Sequence, residues 1–368
     1  MKQNRVIYFD ILRILASMLV VLVHVSGEIF NTADMDTPIW QLANFYNCIG
    51  IIGVPIFFML SGALLLNPLK KISAKRFFFR SALPLMGYYF LTITLYDLVH
   101  FFIDEPVKDF AHFKENVLLN IACGSGIGVG HLWFILILFS IYLITPIVKP
   151  AFEKEENCRY FLILFFLIAV LAHSLLLLPL PYKIIWQSLY GLTPFYLILT
   201  YMGYCVLGHY IHAFILPHYA FLQASSRKKR LLASAVLFLL GTCLTVFSNS
   251  YACMKAQAAS TITNEPYFLG HFMSACGLFG FLGMILYWKT TSHQWLGFFS
   301  RCTLGVYLLH PLMMDLFDYF GANMGGSSIY RYMLLSTLFM TVASLIPTAL
   351  IVLLKSWIRT RNNARRSS

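Results

Sequence analysis

Charge is scarce in this chain. Of 368 residues only 11% are Asp, Glu, Lys or Arg, against about 25% in an average soluble domain. Acid is scarcer still, with 15 Asp and Glu to 27 Lys and Arg. So few ions cannot cover a water-exposed surface, which excludes an ordinary soluble enzyme. The connections between apolar runs are short, leaving no room for a separate soluble domain. The apolar runs are continuous, without the apolar–polar alternation of a membrane β-barrel. The 8 cysteines include no Cys-x-x-Cys pair, and no metal site is indicated. No G-x-S-x-G elbow surrounds Ser61. No A-x-A cleavage site follows the first apolar run, which reads as an uncleaved span. No repeat, heptad array or low-complexity tract stands out.

What is present is apolar: 59% of residues are hydrophobic and mean hydropathy is +0.73. Runs near 20 residues mark membrane spans. They fall at 7–28, 42–66, 82–103, 132–149, 160–180, 191–214, 231–250, 268–288, 297–319 and 332–355. In lipid such runs must satisfy their own backbone groups, which selects helices. The expected fold is an all-α polytopic bundle of about ten transmembrane helices, a single domain over 1–368. The second run is the least regular, because Gly50, Gly53 and Pro55 interrupt it.

A net charge of +12 raises nucleic-acid binding, but the cations cluster between the apolar runs, so no nucleic-acid partner is expected. Twenty Lys and Arg lie at the termini or in even-numbered connections, and five in odd-numbered ones. The positive-inside bias places both termini in the cytoplasm of a cell (plasma or inner) membrane. The basic tail from Arg359 reads as a solvated end near anionic lipid. Cys48, Cys205, Cys243, Cys276 and Cys302 read as small core residues. Cys123 and Cys253 fall in segments placed outside, where a disulfide is allowed.

Arg13 and His24 sit inside the first run. Eleven steps of about 100° carry one to within about 20° of the other after three turns, so they share a helix face about 16 Å apart. Ionisable side chains in a span are costly unless they face a polar interior. Glu28 follows His24 at i+4 and can orient it. Arg13 keeps its charge and offers five donors. It suits a fixed charge holding a polar site open, and also an ion pair with Asp10.

Further motifs follow in order: Pro55-Ile-Phe-Phe-Met-Leu-Ser61-Gly62, then Lys75-Arg76-Phe-Phe-Phe-Arg80-Ser-Ala-Leu-Pro84, His131-Leu-Trp133-Phe, and Gly305-Val-Tyr307-Leu-Leu-His310-Pro311. With Tyr8-Phe-Asp10-Ile-Leu-Arg13 and His24, this ordered set resembles the acyltransferase-3 family of integral membrane acyltransferases, over about residues 5–315. The resemblance implies O-acylation, with acetyl-CoA as donor and a sugar of a surface or lipid-linked glycan as acceptor. The absence of an extracytoplasmic hydrolase-like domain resembles the stand-alone subgroup.

On that reading His24 is a general base for the acceptor hydroxyl, and Arg13 also suits the phosphate or pantetheine carbonyls of coenzyme A. Lys75, Arg76 and Arg80 bind the donor's nucleotide phosphates or simply supply inside charge. His131, Trp133, Tyr307 and His310 serve the acceptor, and membrane lipids surround the bundle. Asp315 and Asp318 extend a polar cavity outward. Ser61 reads as a packing residue beside Gly62, and Gly124–Gly130 as a flexible outer loop. His173, His209 and His212 carry no motif. The competing class is a transporter or exporter of a glycan or small solute, although no inverted repeat is evident.

The charge distribution makes a direct prediction. Single cysteines at Ser125 and Ser260, in a cysteine-free background, should react with an impermeant thiol reagent on intact cells. Labelling only after lysis would reverse the orientation.

Overall fold

A computed structural model of the chain describes residues 6–68, 73–103, 110–123, 129–177, 184–185, 187–188, 195–219, 221–259, 265–287, 294–320 and 332–367. Ser125, Ser260 and most of the Gly124–Gly130 loop lie outside the described residues. Among those described, all regular structure is helical. In chain order the helices are α1 Ile7–Thr32, α2 Pro38–Ile51, α3 Gly53–Leu65, α4 Ala74–Ile103, α5 Phe110–Cys123, α6 Gly130–Val148, α7 Glu155–Leu176, α8 Phe195–Tyr210, α9 Ala224–Ala256, α10 Leu269–Leu286, α11 Gln294–Tyr319 and α12 Met333–Ser367.

Eight segments among the described residues are long and apolar enough to cross a membrane, with α2 and α3 forming one of them. The chain is therefore a multi-pass, all-helical membrane protein. The two remaining expected spans are also helical but fall short by that measure. One is α8, prolonged by a π-helical turn Ile211–Ile215. The other is α11, whose hydropathy is diluted by Arg301, His310, Asp315 and Asp318.

The helices group into two compact units interleaved in sequence, one comprising Met1–Lys71 with Thr145–Leu296, the other Ile72–Ile144 with Gly297–Ser368. In the first unit α1 runs unbroken because it holds no proline and no glycine before Gly27. Its partner α2 starts at Pro38, capped by Thr37, whose hydroxyl accepts from the Trp40 amide. Trp40 then closes the hairpin, donating its indole N–H to the Phe30 carbonyl at 3.0 Å and stacking on the Phe30 ring.

The interruption expected in the second span is confined to Ile52, between α2 and α3. Pro55 lies in the first turn of α3, where a missing N–H costs nothing. The glycines there permit contact. A Cβ on Gly50 would meet the Val23 amide nitrogen at 2.7 Å, and one on Gly53 the Ala16 carbonyl at 2.7 Å. Asn47 crosses the same seam, its amide donating to the Val23 carbonyl at 2.9 Å. Close backbone approach and an interhelical amide bond are how helices associate in lipid, where apolar burial gives no drive. Gly62 and Gly208 repeat the device between α3 and α8, packing on the backbones of Cys205 and Met59. Between α2 and α9, Asn249 donates to Asn44 at 2.7 Å.

Helix α9 runs to Ala256, past the expected end at 250, and Cys253 is buried in its last turn; the side chain of Cys123 lies outside the described residues.

In the second unit α4 contains a π-helical turn, Phe78–Ala82. Beside it α5 donates from Asn120 to the Asp97 carboxylate at 2.7 Å. Gly305 of α11 leaves room for the Thr348 side chain of α12.

The glycines separate packing from propensity. Gly50→Ala drives a methyl into the α1 backbone and should lower thermal stability in detergent by about 1–3 kcal/mol. Gly87, also helical, has nothing within 4 Å of a would-be Cβ. Gly87→Ala should be neutral or stabilising by up to about 1 kcal/mol. Equal effects in melting measurements would remove the close crossing from the account.

Candidate active site

On α1 the expected pair sits within a longer polar stripe. At about 100° per residue, Asp10, Arg13, Ser17, His24 and Glu28 all fall inside an arc of about 60°. Asp10 and Ser17 are buried, at 4% and 3% exposure; Arg13 and His24 are half-buried, and Glu28 is exposed. The flank seated on Gly50 and Gly53, formed by Ala16, Leu19 and Val23, lies about a third of a turn away. The polar stripe and the glycine-seated flank are thus different sides of α1.

The second unit brings His131, Tyr307 and His310 together. The Tyr307 hydroxyl donates to the His131 carbonyl. The His131 ring lies 5.4 Å from Tyr307, 5.6 Å from His310 and 5.8 Å from Tyr96, centre to centre. All four side chains are buried.

Pro311 organises this cluster. It has no N–H for the Tyr307 carbonyl and opens the helix ladder. His310 takes up that carbonyl, with Nδ1 at 2.8 Å from it and 3.2 Å from the Val306 carbonyl. Carbonyls only accept, so in the neutral ring Nδ1 carries the proton and Nε2 the lone pair. Tyr96 mends the next rung. Its hydroxyl accepts from the Leu312 amide at 3.0 Å and donates to the Leu308 carbonyl at 2.9 Å. Further along, His100 meets Asp315 at 3.4 Å. Tyr96, His100 and Ser17 were not singled out from the sequence. The Pro311 break was the available signal for a hydroxyl donor near 308–312.

Lys75, Arg76 and Arg80 are all exposed at the start of α4. Ser73 caps that start, its hydroxyl accepting from the Arg76 amide. The π turn alters the spacing between Arg76 and Arg80 from that of a regular α-helix. Trp133, beside buried His131, is 39% exposed, as an interfacial aromatic would be. Arg13, His24 and Glu28 belong to the first unit; Lys75, Arg76, Arg80, His131, Trp133, Tyr307 and His310 belong to the second.

Ser61 and the histidines outside the motifs have partners of their own. Ser61 returns its hydroxyl to the Phe57 carbonyl at 2.8 Å. His209 Nε2 lies 3.1 Å from the Phe152 carbonyl, His212 Nδ1 lies 2.6 Å from the Tyr8 hydroxyl, and His173 packs edge-on to Tyr267. Among the described residues no group of three His, Cys, Asp or Glu is placed to hold a metal ion.

A family profile described as an acyltransferase domain matches residues 6–357. The match covers nearly the whole chain, and the chain belongs to the acyltransferase-3 family of membrane acyltransferases. It is thus an enzyme that transfers acyl groups. Neither the curated proteins nor the solved structures gave a match.

The Tyr96 bridge can be checked by a double-mutant cycle. Tyr96→Phe leaves the Leu308 carbonyl and Leu312 amide unmatched and should cost about 1–3 kcal/mol. In Pro311→Ala the ladder can close directly, and the same change should cost much less. Additive effects in unfolding measurements would contradict the bridge.

Proposed function

We propose that this acyltransferase moves acetyl from acetyl-CoA, entering from the cytoplasmic side, to a hydroxyl of a surface or lipid-linked glycan in a plasma or inner membrane, with both termini cytoplasmic. The polar stripe of α1 carries this reading. Five polar residues over 18 positions extend about 27 Å, close to a hydrocarbon core of about 30 Å. A charged nucleotide cannot cross lipid, whereas its slender pantetheine arm fits a path lined by one helix face.

In the proposed step the acceptor hydroxyl oxygen attacks the thioester carbonyl carbon. The C–O bond forms, the C–S bond breaks, and the hydroxyl proton passes to a ring nitrogen of His24. That proton then leaves with the thiolate as CoA-SH. Glu28, one turn beyond, orients the imidazole. Arg13 holds the arm from the donor side, and Lys75, Arg76 and Arg80 attract the nucleotide phosphates. His131, Tyr307 and His310, with Trp133 beside them, serve the acceptor. There Nε2 of neutral His310 suits a hydroxyl donor, because it holds the lone pair.

His24→Ala should lower acetyl transfer about 10²–10⁴-fold while the protein stays folded and binds acetyl-CoA. Arg13→Lys keeps the charge but loses the planar fork and should weaken donor use, more than Arg76→Ala does. Glu28→Gln should cost less than His24→Ala. Wild-type activity should fall at low pH, because imidazolium accepts no proton. A folded His24→Ala protein with near wild-type transfer would defeat the mechanism.

A further inference from the structure

Ser17 is the one hydroxyl among the described residues that is fully buried yet has no hydrogen-bond partner. Five other helical serines bond locally. Ser26, Ser61, Ser140, Ser174 and Ser344 each return the hydroxyl to the carbonyl four residues back, at 2.7–3.0 Å. That bond satisfies a helical serine locally, and in lipid it is the expected state. Ser17 does not make it. Leaving a buried hydroxyl unmatched is costly, and alanine would fit the helix better. Ser17 lies between Arg13 and His24 on the stripe, within about 40° of each.

We infer that Ser17 is a donor-binding residue, its hydroxyl donating to the pantetheine amide carbonyl farther from the thioester. The inference rests on the reading of α1 as the donor's path. It follows from two rulers laid side by side. Along the helix, Ser17 is about 10.5 Å and Arg13 about 16.5 Å from His24, at 1.5 Å per residue. An extended chain advances roughly 1.2 Å per bond. From the thioester carbon the first amide carbon is five bonds away, the second nine, and the nearer phosphorus fourteen. These correspond to about 6, 11 and 17 Å. With the reacting carbon at His24, the second amide comes level with Ser17 and the first phosphate level with Arg13. The same distances exclude Ser17 as an acyl-accepting nucleophile, because His24 is too far along the axis to take its proton. They also decide between the two uses of Arg13 in favour of phosphate, which matches its fork.

Thioesters of graded length test this. S-acetyl-N-acetylcysteamine ends just beyond the first amide and does not reach Ser17. S-acetylpantetheine includes the second amide but no phosphate, and acetyl-CoA includes both. Ser17→Ala should raise KM about 5- to 10-fold for acetyl-CoA and S-acetylpantetheine, the effect of one hydrogen bond. Turnover at saturation and the KM for the cysteamine thioester should be unchanged. If the short thioester turns over too slowly, its inhibition constant against acetyl-CoA replaces KM. Ser17→Thr keeps the hydroxyl and should restore the wild-type KM. Thermal stability of Ser17→Ala should not fall, since no hydrogen bond of the unliganded fold is lost. Arg13→Gln should weaken acetyl-CoA far more than S-acetylpantetheine. An unchanged acetyl-CoA KM in Ser17→Ala, or an equal rise with all three thioesters, overturns this inference alone. Wild-type protein that uses none of the three overturns the donor reading and this inference with it.

Discussion

The cost of an ionisable side chain in hydrocarbon is the constraint from which the rest follows. A centrally placed Arg or Asp costs at least about 2.5–3.5 kcal/mol on insertion scales, so α1 can hold Asp10, Arg13, His24 and Glu28 only if they share a side turned from lipid. That fixes the helix's rotation. Its other flank must then bind neighbours without help from the hydrophobic effect. Gly50 and Gly53 supply that contact through backbone proximity, and Asn47 adds an amide bond to the Val23 carbonyl. The small residues of the second span and the charged residues of the first are two halves of one solution.

The second unit handles polarity by breaking a helix. Pro311 leaves a carbonyl and an amide of α11 in need of partners within the bundle. His310 and Tyr96 answer them, and in doing so His310 acquires a defined tautomer. Tyr307 reaches across to the His131 carbonyl. A buried cluster of two imidazoles and two phenols results, with backbone carbonyls among its partners. Such a site favours neutral hydroxylic ligands over charged ones, which suits the acceptor side of an acyl transfer.

Much of this was legible in the sequence, and the reasons differ by element. The apolar runs translate into helices because lipid leaves the backbone no alternative. The alignment of Arg13 with His24 needs only helical arithmetic over an uninterrupted segment. The same arithmetic fails at Arg76 and Arg80, where the π turn adds a residue to the cycle. Tyr307 and His310 were legible as neighbours on one helix, but His131 reaches them across more than 170 residues of chain, which no local pattern encodes. Ser17 resembled any serine in an apolar run; only its missing bond to the preceding turn distinguishes it. The end of α9 was not legible, because the helix continues six residues past its strongly apolar stretch, to Ala256.

The account's central claim is that the acyl donor lies along the polar face of α1. The direct measurement is a cryo-electron microscopy map of the protein bound to a non-hydrolysable acetyl-CoA analogue in which a methylene replaces the thioester sulfur. The account predicts the analogue's ketone at His24, its second amide level with Ser17 and its first phosphate at Arg13. Density for the arm on any other helix face, with α1 unoccupied, would contradict it.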